Sequence, residues 1–177
     1  MYKIRKATTH DIKQVAKAHV DSWRTTYEGI VDQGYLNALK YEDRERLWEQ
    51  ADHDQLLVAA DSSHNIVGFA SYGKEKTGEF GYDSELYAIY LLKHVQRQGI
   101  GRELFQRMIE DLEQKGVSSI MLWVLEENPS RKFYEAFSPE LVAKDNYEIS
   151  GNIHAELAYG WKNLSHIKEK IKEGGKQ

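Results

Sequence analysis

The chain contains no cysteine, which excludes disulfides, thiolate metal sites and a cysteine nucleophile. It has only two prolines, Pro129 and Pro139, and they bracket one short segment. No apolar run approaches the ~20 residues needed to span a bilayer. The opening MYKIRKATTHDIKQ carries no apolar stretch of the signal-peptide kind, so no membrane association is expected and a cytoplasmic location is the economical one. A charge excess is missing too. Lys and Arg number 24 against 28 Asp and Glu, a formal net charge of -4, which makes no electrostatic case for a nucleic-acid-binding surface. None of the seven histidines stands at metal-ligand spacing with a carboxylate, no Ser-His-Asp arrangement is present, and no metal is expected. Repeats of 20 to 50 residues and low-complexity linkers are also absent.

What is present is an ordinary globular composition, 41% hydrophobic and 29% charged over 177 residues, enough for one domain with a real core. YKIRKA (2–7) alternates like a short strand. Thr9 is placed to cap a helix with Ile12, Val15, Ala16 and Val20 on one face. Residues 35–51 read as a second helical stretch burying Leu36, Leu39, Leu47 and Trp48. QLLVAAD (55–61), NIVGFASYG (65–73) and ELYAIYLL (85–92) read as strands. A helix over 99–115 stops at Gly116, and SSIMLWVL (118–125) is a further buried strand. SRKFYEAF (130–137) is a short helix, followed by an antiparallel pair around the turn SGN. The expectation is a mixed α/β sheet flanked by helices, with a domain over 1–163 and a charged tail, 164–177, forming a helix that frays.

The helix over 99–115 raises a question, because Gly99 and Gly101 stand at its start and glycine is a poor helix former. A Gly-x-Gly turn frees backbone N–H groups to face one concave site, and the helix dipole adds positive potential there. Phosphate is the usual occupant. A tight strand-to-helix turn would explain a lone Gly-x-Gly equally well. Two nucleotide motifs fail on spacing. The dinucleotide fingerprint needs a third glycine where Leu104 stands, and a Walker loop needs Lys-Ser or Lys-Thr where Arg102-Glu103 stand.

The wider stretch ELYAIYLLKHVQRQGIGRELFQRM resembles the acetyl-CoA-binding motif of the Gcn5-related N-acetyltransferases (GNAT), Gln/Arg-x-x-Gly-x-Gly/Ala, through Gln96, Gly99 and Gly101. ENPSRKFYEAF resembles the family's next motif through Asn128 and, six residues later, Tyr134. SWRTTYEGIV (22–31) is similar to the substrate-side helix and loop of one bacterial branch. The resemblance covers roughly residues 2 to 161. It departs at Ser138-Pro139, which replace the customary glycine, and at Lys93, where many members carry proline.

The resemblance implies the GNAT acyl-CoA N-acyltransferase fold, its central sheet splayed between the fourth and fifth strands. The pantetheine arm of acetyl-CoA would bond the backbone of Leu91 and Leu92. The pyrophosphate would rest on the N–H groups of the loop Arg97, Gln98, Gly99, Ile100, Gly101 and Arg102, with Gln96 and Asn128 as further cofactor contacts. The implied activity is direct acetyl transfer, in a ternary complex, to a primary amine on a small molecule or a protein. A non-catalytic acyl-CoA-binding module is the alternative, and a homodimer with its contact along 153–161 is plausible for the family. An alkylammonium of pKa ~10.4 is neutral at pH 7 in only about one molecule in 2500, a deficit of roughly 4.6 kcal/mol that a base must offset. Glu85, fourteen residues before Gly99, has the spacing of the family's glutamate base; an exposed strand-end carboxylate is the competing role. Tyr134 is the candidate acid for the thiolate, against a simple packing role beside Phe133 and Phe137. Tyr87, two residues beyond Glu85, shares its side of the strand and is a candidate acceptor contact. So are Trp23 and Tyr27, in an aromatic and basic group with His19 and Arg24.

Overall fold

The computed structural model describes residues 2–174, so residues 175–177 of the expected tail lie outside the described part. The strands are β1 (Lys3–Lys6), β2 (Leu56–Ala60), β3 (Ile66–Lys74), β4 (Ser84–Leu91), β5 (Ile120–Leu125), β6 (Glu140–Ile149) and β7 (Asn152–Trp161). The helices are α1 (Ile12–Thr26), α2 (Gln33–Ala38), α3 (Tyr41–Glu49), α4 (Ile100–Gln114), α5 (Arg131–Glu135) and α6 (Leu164–Gly174). The strands form one seven-stranded sheet in the order β1-β2-β3-β4-β5-β7-β6. β4 and β5 run parallel, while β1–β2, β2–β3, β5–β7 and β6–β7 are antiparallel. This is the mixed α/β sheet expected from the alternation of elements.

Two compact units divide the chain. One contains residues up to Tyr72 together with Ala88–Met108. Its core joins Val15 and Ala16 of α1, Trp48 of α3, Leu56 and Val58 of β2, and Phe69 of β3. The apolar stripe of α1 is buried as its helical spacing requires. Thr9 does not cap it: the N-cap of α1 is Asp11, and Thr8 caps the 3-10 turn Thr9–Asp11 that leads in, donating through N and Oγ1 to Asp11 Oδ2 at 2.8 and 2.9 Å. Asp11 is fixed there because it also takes both Arg5 guanidinium donors, at 2.6 and 2.8 Å. The single helical stretch expected over 35–51 is two helices. Leu39 turns extended, and Arg24 donates to the carbonyls of Leu36 and Leu39 at 3.2 and 2.8 Å, satisfying the end of α2. Leu36 and Trp48 are buried as expected, but Leu47 is 50% exposed.

The other unit comprises Gly73–Tyr87 and the chain from Ile109 onward. Here Tyr82, Met121 and Ala158 form a core cluster with Phe80 and Trp123 packed on it. The Tyr82 ring lies where only glycine fits on β7, since a Cβ at Gly160 would stand 2.4 Å from its hydroxyl. The β6–β7 hairpin turns on Ser150 and Gly151, both at positive φ (52° and 79°), as a two-residue turn requires. Ser138, one of the departures from the family motif, adopts φ 52° and so supplies the left-handed turn that glycine would otherwise provide. β7 has neighbours on both sides, so the free edge is β6 and not 153–161. Over its described length α6 buries Leu164, Ile167 and Ile171.

The β4–β5 ladder consists of three pairs among the described residues, Ser84–Ile120, Glu85–Met121 and Leu86–Leu122. Both strands continue past it, to Leu91 and Leu125. The ladder thus stops short of the ends of both strands.

At the far end of β4, Gly68 of β3 permits a close approach. A Cβ there would lie 2.2 Å from Leu91 Cδ2 and 2.9 Å from the Tyr90 carbonyl oxygen. The side chain could yield, but the carbonyl is backbone. Gly68→Ala is expected to destabilise the protein by about 1–3 kcal/mol, the usual cost of overpacking. Urea unfolding measures it, and an unchanged midpoint would show that the two strands do not meet this tightly.

Candidate active site

The unit that holds the end of β4 contains the whole glycine loop. The Leu92 N–H donates to the Val67 carbonyl at 2.9 Å, and the Leu92 carbonyl accepts from Val95 at 3.1 Å. Leu92 is thereby committed to β3 and to the turn that follows. Successive residues of a strand aim their main-chain groups at opposite edges, so Leu91 faces the edge away from β3. The Leu91 carbonyl accepts from Gln96 Nε2 at 3.1 Å, which ties the first motif residue to the strand end.

Beyond a turn over Lys93–Val95, Arg97 adopts φ 62° and Gly99 φ 84°, while Gln98 between them stays at negative φ. Alternation of left- and right-handed residues curls successive N–H groups toward one concave side, which is an anion-binding nest. Arg97 takes a conformation that usually costs a non-glycine residue about 1 kcal/mol or more. Gly99 caps α4, its carbonyl accepting from Glu103 N at 3.0 Å. A Cβ built on Gly99 would meet nothing within 4 Å, so its positive φ and not crowding is what favours glycine there. Gln98 is held by Nε2 on the His94 carbonyl, at 3.1 Å, and accepts from the Tyr2 hydroxyl at 3.2 Å.

The same unit carries the aromatic group of α1. Trp23 lies 4.6 Å from Tyr27 between ring centroids, and His19 stacks on Tyr90 at 5.7 Å. Tyr27 is buried, its hydroxyl 3.0 Å from that of Tyr90, whereas Trp23 is half-buried. His19 accepts from Trp48 Nε1 at 3.1 Å. Burial, helped by the Arg44 charge, lowers its pKa to about 3, so it is neutral at physiological pH.

In the other unit, Glu85 is buried, 8% exposed, and so is not the exposed strand-end carboxylate that competed for its role. Its Oε2 accepts from Lys76 N at 3.2 Å. Burial pushes its pKa up; the N–H and charge of Lys76 oppose this, and nearby Glu75 adds to the rise. Glu75 is buried as well, but the donors of Thr77 and Gly78 outweigh burial and hold its pKa below the ordinary value. Two neighbouring carboxylates thus diverge, one kept ionised and one made more basic. Tyr87 is exposed, donates to the Lys74 carbonyl, and has Lys76 Nζ 4.3 Å above its ring.

Asn128 is buried, and its Oδ1 accepts from Ser130 N at 2.9 Å, starting the turn into α5. Tyr134 is buried beside Phe133, with ring centroids 5.3 Å apart. Sequence reasoning missed Glu75, Lys76 and Arg44. Glu75 and Lys76 sit in a stretch that reads only as a polar loop, though Glu75-x-Thr77-Gly78 is the pattern of a side chain capping its own turn. Among the described residues no group of three or more His, Asp or Glu could hold a metal ion, and no helix is long and apolar enough to cross a membrane.

Comparison with known proteins agrees with this geometry. The model of the Acetyltransferase (GNAT) family matches residues 17–138. YuaI of Bacillus subtilis (strain 168), an uncharacterized N-acetyltransferase, is 49% identical over 168 residues, covering 95% of this chain and 97% of its own. The spermidine N(1)-acetyltransferase of Thermoplasma acidophilum is 25% identical over 133 residues, or 71% of this chain and 80% of its own. The crystal structure of PaiA N-acetyltransferase from Thermoplasma acidophilum, in complex with coenzyme A, superposes with a TM-score of 0.68 at 21% identity. It covers 88% of this chain and 98% of its own, a likeness of fold. With the mixed sheet and the motif residues in place, the match over 17–138 and the 49% identity to YuaI show that this chain belongs to the GNAT family of acetyltransferases.

Proposed function

We propose that the chain transfers the acetyl group of acetyl-CoA directly to a primary amine, on a small molecule or a protein, with Glu85 as base and Tyr134 as acid. The observations that carry this reading are the left-handed backbone at Arg97 and Gly99 ahead of α4 and, in the other unit, the buried carboxylate of raised pKa at Glu85. The residues present fit the cosubstrate. The N–H groups from Arg97 to Arg102 would hold its pyrophosphate, with Gln96 bracing the loop against Leu91. The Leu91 N–H, on the strand edge away from β3, would donate to the pantetheine arm or to the thioester carbonyl as negative charge builds on it. Acetyl-CoA supplies an activated acyl group with a good leaving group when bound.

The protein's own part is chiefly proton management. The acceptor enters as an ammonium ion and must lose a proton before its lone pair can attack. Burial makes Glu85 more willing to take that proton than an ordinary carboxylate, directly or through a water. Tyr134 returns a proton to the departing sulfur, and Asn128 fixes the start of the segment that carries it. Tyr87, Trp23 and Tyr27 are the acceptor-side residues of this reading. The Tyr27 hydroxyl is paired with that of Tyr90.

Release of coenzyme A thiol with a panel of amines tests the activity itself. Glu85→Gln is expected to lower kcat/KM most between the pKa of Glu85 and that of the amine, with the deficit shrinking as pH approaches the amine pKa and the free amine forms unaided. In the native enzyme the acidic limb should lie above the ordinary glutamate range, because the raised pKa leaves Glu85 protonated, and useless as a base, over a wider span of low pH. A deficit equal at every pH would give Glu85 a structural role instead. Gly101→Glu is expected to raise the Kd for acetyl-CoA by orders of magnitude with the melting temperature nearly kept. Unchanged affinity, read by calorimetry, would remove the nest from the cofactor site.

A further inference from the structure

The indole Nε1–H of Trp23, in the last turn of α1, is closed off from solvent and has no acceptor among the described residues. An unmet buried donor costs about 1–3 kcal/mol and is rare enough in native proteins to need an explanation. A second donor group stands beside it. The Arg44 guanidinium, on α3, lies over the same ring, 5.9 Å from its centroid. Arg44 is half-buried, and among the described residues no carboxylate, carbonyl or hydroxyl accepts from it. The ring face engages its charge, but its N–H donors remain without acceptors.

Other arginines show how different this is. Arg5 is locked to Asp11, Arg24 to two carbonyls of α2, Arg46 to Asp43 and Arg131 to Glu135. The remaining partners around Trp23 cannot supply an anion. His19 is neutral and its Nδ1 is taken by Trp48, and the hydroxyls of Tyr27 and Tyr90 are bonded to each other. The surroundings of Trp23 are therefore aromatic and locally positive, and the oxygens its ring neighbours Tyr27, Tyr35 and Tyr90 offer are neutral hydroxyls, not anions.

We propose that Trp23 and Arg44 together bind an oxyanion carried by the acceptor, so that the substrate is an amine that also bears a carboxylate, or a phosphonate of like shape. One oxygen would take the indole N–H and another the guanidinium, a planar, charge-assisted match that a polyamine cannot make. Because the N–H is closed to solvent, entry requires a side-chain shift. Arg44, tied to no acceptor, makes it at least cost. The proposal rests on the acetyltransferase reading above, in which the α1 segment borders the acceptor.

The test compares matched acceptors by thiol release: each L-amino acid against its C-terminal amide, a 1-aminoalkylphosphonate series, and spermidine as a cation without an acidic group. At least one amino acid or aminophosphonate should show kcat/KM about tenfold or more above its uncharged partner, and above spermidine. The phosphonate arm tells which oxyanion is preferred. Arg44→Gln should raise KM for that acceptor about 10- to 100-fold and erase the preference, with KM for acetyl-CoA unchanged. Arg44→Lys should restore part of it, and Trp23→Phe, which keeps a ring but loses the N–H, should weaken it as well. Equal rates for acid and amide in every pair, or a preference that survives Arg44→Gln, would overturn the inference. Turnover of spermidine alone would overturn it too, while leaving the acetyltransferase reading intact. Absence of thiol release with every amine, with acetyl-CoA still bound, would sink both.

Discussion

The short parallel ladder from Ser84–Ile120 to Leu86–Leu122 is the constraint on which the rest of the structure depends. Its closed end is pinned hard. The Asp83 carboxylate accepts from N and Oγ of both Ser118 and Ser119 at 2.8–3.2 Å, and Ser84 Oγ donates to the Ser119 carbonyl at 2.7 Å. Those bonds hold Asp83 below its ordinary pKa and fix where β4 begins. Three pairs later the ladder stops. A parallel pair that ended by chance would leave main-chain groups without partners, at a cost of about 1–3 kcal/mol for each one buried. A cosubstrate with amide groups of its own can meet them. Gly68 completes the geometry from the other side by letting β3 lie close against Tyr90 and Leu91.

The same strand separates the electrostatic tasks. Its buried start carries Glu85, made more basic by burial, next to a Glu75 that local N–H donors keep ionised. Its end leads into a loop that would offer backbone N–H groups and not side-chain charge, so the phosphate binding proposed there would not depend on the chain's overall balance. A net charge of -4 is compatible with such a site because the positive potential is local.

Much of this was legible in the sequence. The apolar periodicities marked nearly every strand and helix, and two motifs in the right order marked the nest and the Asn128–Tyr134 segment. What escaped detection depended on tertiary partners. The break between α2 and α3 follows from Arg24 reaching back to two carbonyls, which no window of residues reveals. Leu47 looks like a core residue by spacing, yet the turn of α3 that buries Trp48 leaves it in water. Arg97 in a left-handed conformation is invisible because arginine gives no hint of it, whereas Gly99 does. The burial of Glu85, on which its proposed role as base draws, involves a loop that reads only as polar, since Lys76 N donates to it.

Amide hydrogen exchange with and without acetyl-CoA tests the central claim most directly, since it reports main-chain hydrogen bonds residue by residue. Acetyl-CoA should slow exchange at Leu91 and across 97–102. Leu92, already bonded to Val67, should change little. Protection that spares both Leu91 and the loop, with acetyl-CoA bound at saturation, would contradict the end of β4 and the loop as the cofactor site.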